Sequence, residues 1–217
     1  MKFLLVLFIG FVLFACSSSE KQDVSLLKEE SLPFLGNFGE DHVIPNLRFL
    51  NQDSIWKTSE DYSGKIWVSE FFFSTCPTIC PIMNGQMKIL AEEFKELDSI
   101  VQFLSFTINP SYDSPGVLKS YRDQHGYAFK NWDFLTGVDE KRVHELGVDY
   151  FLVHAGKGTE EEGGYAHSGA FTLVDILGHV RGVYQMTDGE GERDDQELDR
   201  LRKDLKILIK DEFNVQH

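Results

Sequence analysis

Two cysteines four residues apart, Cys76 and Cys80, lie in the run Ser74-Thr75-Cys76-Pro77-Thr78-Ile79-Cys80-Pro81. A disulfide stabilises mainly by closing a long loop, so a pair this close is a candidate for redox or metal chemistry, not a staple. The spacing predicts that the two residues sit i and i+4 across a helix N-terminus, with both sulfurs pointing the same way. Helix amides and the helix dipole favour thiolate there. Residues at i and i+4 of a helix have Cβ atoms about 5–6 Å apart, whereas a disulfide wants about 3.8 Å. The pair therefore suits two bonds to one soft ion better than an S–S bond, although Cys76 at the helix edge leaves a disulfide open. Two thiolates select ions such as Cu(I) or Zn, and either ion takes a third ligand.

The elements that position these sulfurs follow from hydrophobic patterning. Ile66 to Phe73 is a short apolar, aromatic run that reads as a buried central strand and leads directly into the cysteines. A helix is predicted from about Pro77 to Leu97, with Pro77 in its first turn. Val101 to Ile108 reads as a second strand, and Ser114-Pro115 opens a helix towards Gly126. A strand around Phe134-Leu135 and a short helix from Asp139 to Leu146 follow. Gly156 to Gly164 reads as a patternless Gly- and Glu-rich loop. Gly169–Asp175 and His179–Gln185 read as antiparallel strands, before a last helix from about Asp194 to Glu212. Asn51-Gln52-Asp53-Ser54 marks the turn of an N-terminal hairpin. The order β-α-β-α-β-α-β-β-α behind that hairpin predicts an α/β, thioredoxin-like fold. Its central sheet is mixed, with helices on both faces and an N-terminal β-hairpin extension.

That topology selects the third ligand. Of the seven histidines, His167 precedes the first strand of the final hairpin, beside the cysteine corner. His154, in the same loop region, could assist. His42, His125, His144, His179 and His217 read as surface or core imidazoles, and Met83 and Met87 as core. The acidic run Asp188–Asp199 has Arg193 where a calcium loop needs its sixth-position Gly, so it reads as a solvated turn before the last helix.

The chain has 217 residues and a formal charge of −14. That acidity excludes nucleic acid as a partner, since affinity for it depends on neutralising phosphates with Lys and Arg. Residues 3–14 form a twelve-residue apolar run after a single Lys, about 18 Å as a helix and too short to span a bilayer. We read 1–15 as a secretory signal, 16–31 as a tether and 32–217 as the domain. Leu13-Phe14-Ala15-Cys16 resembles a bacterial lipobox, which makes Cys16 the lipidated residue and the domain extracytoplasmic.

Three segments resemble the SCO/SenC family of cytochrome c oxidase assembly: Phe71 to Pro81, Thr107 to Pro115, and His167 to Asp175. The resemblance implies a copper chaperone, with one copper per chain, as Cu(I), Cu(II) or both, held by Cys76, Cys80 and His167. It also implies delivery of copper to, or thiol maintenance of, the dinuclear copper site in the oxidase's copper-bearing subunit. The expected setting is the bacterial cell envelope, lipid-anchored on the periplasmic face of the inner membrane. An oxidising compartment then calls for a thiol reductant or another copper carrier as a further partner. Asn109 stands where the family usually has Asp, and is expected to cap a turn before Pro110; Asp113 remains. The alternative function is an extracytoplasmic thiol-disulfide oxidoreductase using Cys76 and Cys80 as a catalytic dithiol. His167 occupies the place where such enzymes resemble one another in holding substrate with a cis-Pro, which favours metal.

Overall fold

The computed structural model describes residues 31–35, 42–160, 163–188 and 190–214. Cys16, the expected signal, most of the expected tether and His217 lie outside the described residues. No helix among the described residues is long and apolar enough to cross a membrane.

Strand β3 (Ile66–Phe72) is buried along its whole length, which requires cover on both sheet faces. Side chains alternate along a strand, and the two faces meet different helices. Phe72 packs against Tyr121 of α2 (Pro115–His125), with ring centroids 5.7 Å apart. Phe71 lies against Gly147 of α3 (Glu140–Asp149) on the other face. Helix α1 (Cys80–Glu93) joins α2 through Asn84 Nδ2, which donates to the Tyr121 hydroxyl at 3.1 Å. It joins α4 (Asp195–Phe213) through Arg202 and Glu93 at 2.6 Å. Helices α1, α2 and α4 therefore share one face and α3 takes the other, the helix-covered arrangement expected.

The remaining strands are β1 (Arg48–Asn51), β2 (Trp56–Thr58), β4 (Val101–Thr107), β5 (Trp132–Thr136), β6 (Ala155–Lys157), β7 (Tyr165–His167), β8 (Ala170–Val174) and β9 (Val180–Gln185). Seven of the nine form one mixed sheet in the order β2-β1-β5-β4-β3-β8-β9. β3, β4 and β5 run parallel, while β8 and β1 are antiparallel to their neighbours. The N-terminal hairpin extends the sheet beyond β5. This is the thioredoxin-like plan, and the parallel strands end at the cysteine corner.

Two expectations need correction. Helix α1 begins at Cys80, with Ile79 as its N-cap, and not at Pro77; Pro81 takes the first-turn position. Cys76 thus lies in the loop before the helix, and the i/i+4 geometry does not apply to it. The stretch from Gly156 to Gly164 is also not free of structure. β6 and β7 pair antiparallel, Ala155 with His167 and Lys157 with Tyr165, as a separate two-stranded sheet. Three-residue strands rich in Gly and small residues leave too little alternation to register as a period.

Candidate metal centre

β3 carries the chain into the cysteine loop, and one buried carboxylate fixes the loop's entrance. Asp113, with no exposed surface, accepts from the Ser74 backbone N–H at 3.1 Å and from the hydroxyls of Ser74 and Thr107. Beyond Ser74 the backbone folds so that the Cys76 N–H donates to the Phe73 carbonyl at 3.1 Å. Cys76 is half-buried and Cys80 is 1% exposed.

His167 ends β7, and Gly169 then lets the chain turn into β8. A Cβ at Gly169 would stand 2.2 Å from Thr187 Oγ1, so a larger residue there would displace the Thr187 side chain. The Cys80 Sγ and His167 Nε2 atoms are 3.1 Å apart. His167 Nδ1 lies 3.2 Å from the Ser168 carbonyl, which can only accept. That contact leaves Nε2 as the ring nitrogen facing the sulfurs.

The ligand atoms of Cys76, Cys80 and His167 all lie within 4.8 Å of one another. A cavity of about 30 Å³ beside them is lined by Phe73, Cys76, Thr78, Ile79, Tyr165 and His167 among others. That is room for one small ion. The Phe73 ring stands edge-on to His167, with centroids 6.0 Å apart at 85°, and limits how far the imidazole can swing.

Electrostatics divide the two sulfurs. The Cys76 thiol is pushed down to about 3, first by the Cys80 thiol donating to it, then by His167 and the backbone N–H groups of Cys80 and Thr78. Burial pushes Cys80 well up, and the neighbouring Cys76 adds to this. The pair thus holds one proton, on Cys80, beside a thiolate at Cys76. Two sulfurs and one imidazole make a soft, three-donor set.

The other candidates fall where their bland readings put them. His154 is exposed and contributes its backbone carbonyl, which accepts from Ser168 N–H at 2.9 Å. Met83 and Met87 are fully buried core residues. Asp188 closes a turn by accepting from the Glu190 and Glu192 N–H groups, and Asp194 caps α4. Asn109 differs from its expected role. Its backbone carbonyl closes the turn, accepting from Tyr112 and Asp113, while its side-chain oxygen accepts from the Tyr165 hydroxyl at 3.1 Å. Sequence reasoning missed Tyr165 and the buried Glu70. A Glu inside the apolar β3 run was the available signal for the second; nothing local marked the first.

The family model described as SCO1/SenC matches residues 37–202. A curated relative from Stutzerimonas stutzeri, described as a putative copper-binding protein, is 30% identical over 148 residues, 65% of this chain and 69% of its own. A solved SCO1/SenC family lipoprotein from Bacillus anthracis is 30% identical with a TM-score of 0.67, covering 76% of this chain and 94% of that one. BsSco, a member of the Sco family of cytochrome c oxidase assembly proteins for which a disulfide switch is described, is also 30% identical. Its TM-score is 0.65 over 77% of this chain and 93% of that one.

Proposed function

The chain belongs to the SCO1/SenC family, and from that premise we propose that it is a copper carrier serving the dinuclear copper site of a respiratory cytochrome c oxidase. Cys76, Cys80 and His167 hold the copper, one ion per chain. The observation that carries this reading is the convergence of two sulfurs and an imidazole within 4.8 Å of one another, beside a small cavity lined by Cys76 and His167. Thiolate and imidazole donors suit copper, and the Stutzerimonas relative's description points the same way. Family membership supports the oxidase as the destination. The lipobox at Cys16 and the lipoprotein form of the Bacillus anthracis protein support an anchored, extracytoplasmic domain. The test is Cu(I) titration of the reduced protein. One equivalent should bind in the wild type, the Cys76→Ala/Cys80→Ala variant should bind none tightly, and His167→Ala should bind more weakly. Unchanged stoichiometry in the double variant would exclude the site.

A second reading, a thiol-disulfide oxidoreductase acting on the same oxidase subunit, has one observation in its favour. A half-open thiolate at Cys76 beside a buried thiol at Cys80 is the arrangement of an attacking and a resolving thiol. Copper and disulfide then compete for the same sulfurs. Quantitative oxidation should abolish tight Cu(I) binding; equal affinity before and after oxidation would remove the sulfurs as ligands and leave the oxidoreductase reading in front.

A further inference from the structure

We propose that residues 109–113 are a brace that sets the distance between the sulfur pair and the imidazole. Its Asp113 end holds the cysteine loop, and its Asn109 end holds the histidine hairpin through the Tyr165 hydroxyl. The proposal rests on reading Cys76, Cys80 and His167 as one metal centre.

The need for a brace follows from the topology. β6 and β7 pair only with each other, outside the seven-stranded sheet, so no ladder of main-chain hydrogen bonds from that sheet fixes His167. Tyr165 is two residues before His167 on β7 and therefore on the same side of the strand. Its ring packs 5.4 Å from Phe73, the ring that also meets His167. The Tyr165 hydroxyl has one proton to give. Asn109 Oδ1 at 3.1 Å is the nearer acceptor and Glu140 Oε2 at 3.4 Å the farther. Lys157 Nζ donates to the same hydroxyl at 3.2 Å, lies over the ring, and pairs with Glu140. Lys157 is exposed, and an ion pair in that setting contributes little. The Tyr165–Asn109 bond, which is half-buried, is the specific one.

At the other end Asp113 holds Ser74, two residues before Cys76, through two hydrogen bonds, and Thr107 through a third. Between the ends the turn is closed on itself. The Asn109 carbonyl accepts from the N–H groups of Tyr112 at 3.1 Å and Asp113 at 3.0 Å. One five-residue turn thus touches the arm that carries both sulfurs and the arm that carries the nitrogen. Groups that orient metal ligands from outside the coordination sphere are worth about 10–100-fold in metal affinity.

The experiment uses Tyr165→Phe, which keeps the ring against Phe73 and removes only the hydroxyl. Cu(I) affinity, read by competition with a chromophoric chelator, should fall about tenfold. With Cu(II), the thiolate-to-copper charge-transfer band should persist while the imidazole nitrogen hyperfine coupling weakens. In a His167→Ala background, Tyr165→Phe should cost nothing further, because its effect passes through the imidazole. Asn109→Leu should reproduce Tyr165→Phe, and Asn109→Asp, which keeps an acceptor, should restore wild-type affinity. In the metal-free protein, the His167 ring resonances should broaden in Tyr165→Phe while those of Phe71 and Phe106 stay in place. Wild-type affinity and spectrum in Tyr165→Phe, or an equal loss in both backgrounds, would overturn the brace. If the wild type takes up no copper, the carrier reading fails by itself, and unaltered His167 resonances in metal-free Tyr165→Phe then refute the brace independently.

Discussion

At the scale of single residues, the site's chemistry turns on where two protons sit. Cys76 is already thiolate at neutral pH, because Cys80 and two backbone N–H groups donate to it, whereas burial keeps Cys80 protonated. Cu(I) binding must deprotonate only Cys80, so loading at pH 7 should release about one proton per copper. Potentiometric titration in weak buffer measures this, and two protons would mean that Cys76 also begins as a thiol. Glu70 is the other titratable group out of place. It is fully buried on β3; it accepts from Ser105 Oγ at 2.6 Å, and its Oε2 meets no partner among the described residues. Burial pushes its carboxyl up to about 8 from an ordinary 4.5. A carboxyl raised on folding contributes stability that is complete below 4.5, is lost as pH rises, and is gone above about 8. Glu70 by itself therefore makes the fold less stable at pH 8 than at pH 5, with a slope approaching about 1.4 kcal/mol per pH unit. Cys76, held down at about 3, adds a slope of opposite sign over the same window, so the comparison that isolates Glu70 is wild type against Glu70→Gln. Glu70→Gln should remove the Glu70 contribution, making the slope more positive than in the wild type, and raise stability at pH 8. Glu212, pushed up to about 7 by burial, shifts in the same direction and leaves a residual slope. Urea unfolding at both pH values measures the difference, and an unchanged slope in the variant would mean that Glu70 is ionised in the fold.

Among the elements, the hairpin β6–β7 carries His167, and its seat is narrow. Ala155 packs on α3 where Gly147 leaves room. A Cβ at Gly147 would stand 3.0 Å from the Ala155 Cβ and 3.3 Å from the Phe71 ring. Gly147→Ala consequently forces either the hairpin or the Phe71–Phe106–Phe151 cluster to move. The expected cost is about 1–3 kcal/mol of stability, as for other overpacked cores. Because His167 pairs directly with Ala155, the same substitution should lower copper affinity, whereas a packing change remote from the hairpin should not. Thermal unfolding and Cu(I) competition on the same samples check both halves. Loss of stability with intact affinity would place the yielding side in the aromatic cluster and not in the hairpin. Helix α1 offers a contrast. Its first residue is Cys80, one of the three proposed ligands, and the amides of its N-terminus already face the sulfurs.

For the whole molecule, the place where the chain enters the domain matters more than the acidic surface. Residues 32–35 run along the far end of β9. The Leu35 N–H donates to the Val180 carbonyl at 3.0 Å, and Arg181 donates to the carbonyls of Pro33 and Leu32 while covering the Phe34 ring. Val180 pairs with Val174, and Val174 with Trp67 near the start of β3, whereas the cysteines follow its end. At about 3.3 Å per residue, the entry point and the metal centre lie at opposite ends of the sheet, roughly 20 Å apart. An anchor at Cys16 would connect to the domain through residues 32–35, which lie at the end of the sheet away from the cysteines. Cys16→Ser should accordingly block acylation and maturation at that position and leave Cu(I) affinity unchanged. Fractionation with mass spectrometry of the mature N-terminus checks it, and an unmodified Cys16 in wild-type protein would refute the anchor.

Much of this was present in local sequence. The strands β3, β4, β8 and β9 and the helices α2, α3 and α4 are legible because burial imposes a period on apolar residues and because Ser114, Asp139 and Asp194 are side-chain caps. Cys76, Cys80 and His167 were legible from residue type and from the order of the elements that carry them. The start of α1 was not, because Pro77 and Pro81 both satisfy the first-turn rule and only packing chooses between them. The hairpin that carries His167 was not, because strands of three residues hold too little alternation to be seen. The bonds from Asp113 to Ser74 and from Asn109 to Tyr165 join residues 39 and 56 positions apart, and no local pattern encodes such a pairing. Sequence by itself therefore determined which atoms are available to bind metal. Tertiary structure alone decided how far apart they stand and which sulfur keeps its proton, since both depend on burial and on contacts between distant segments.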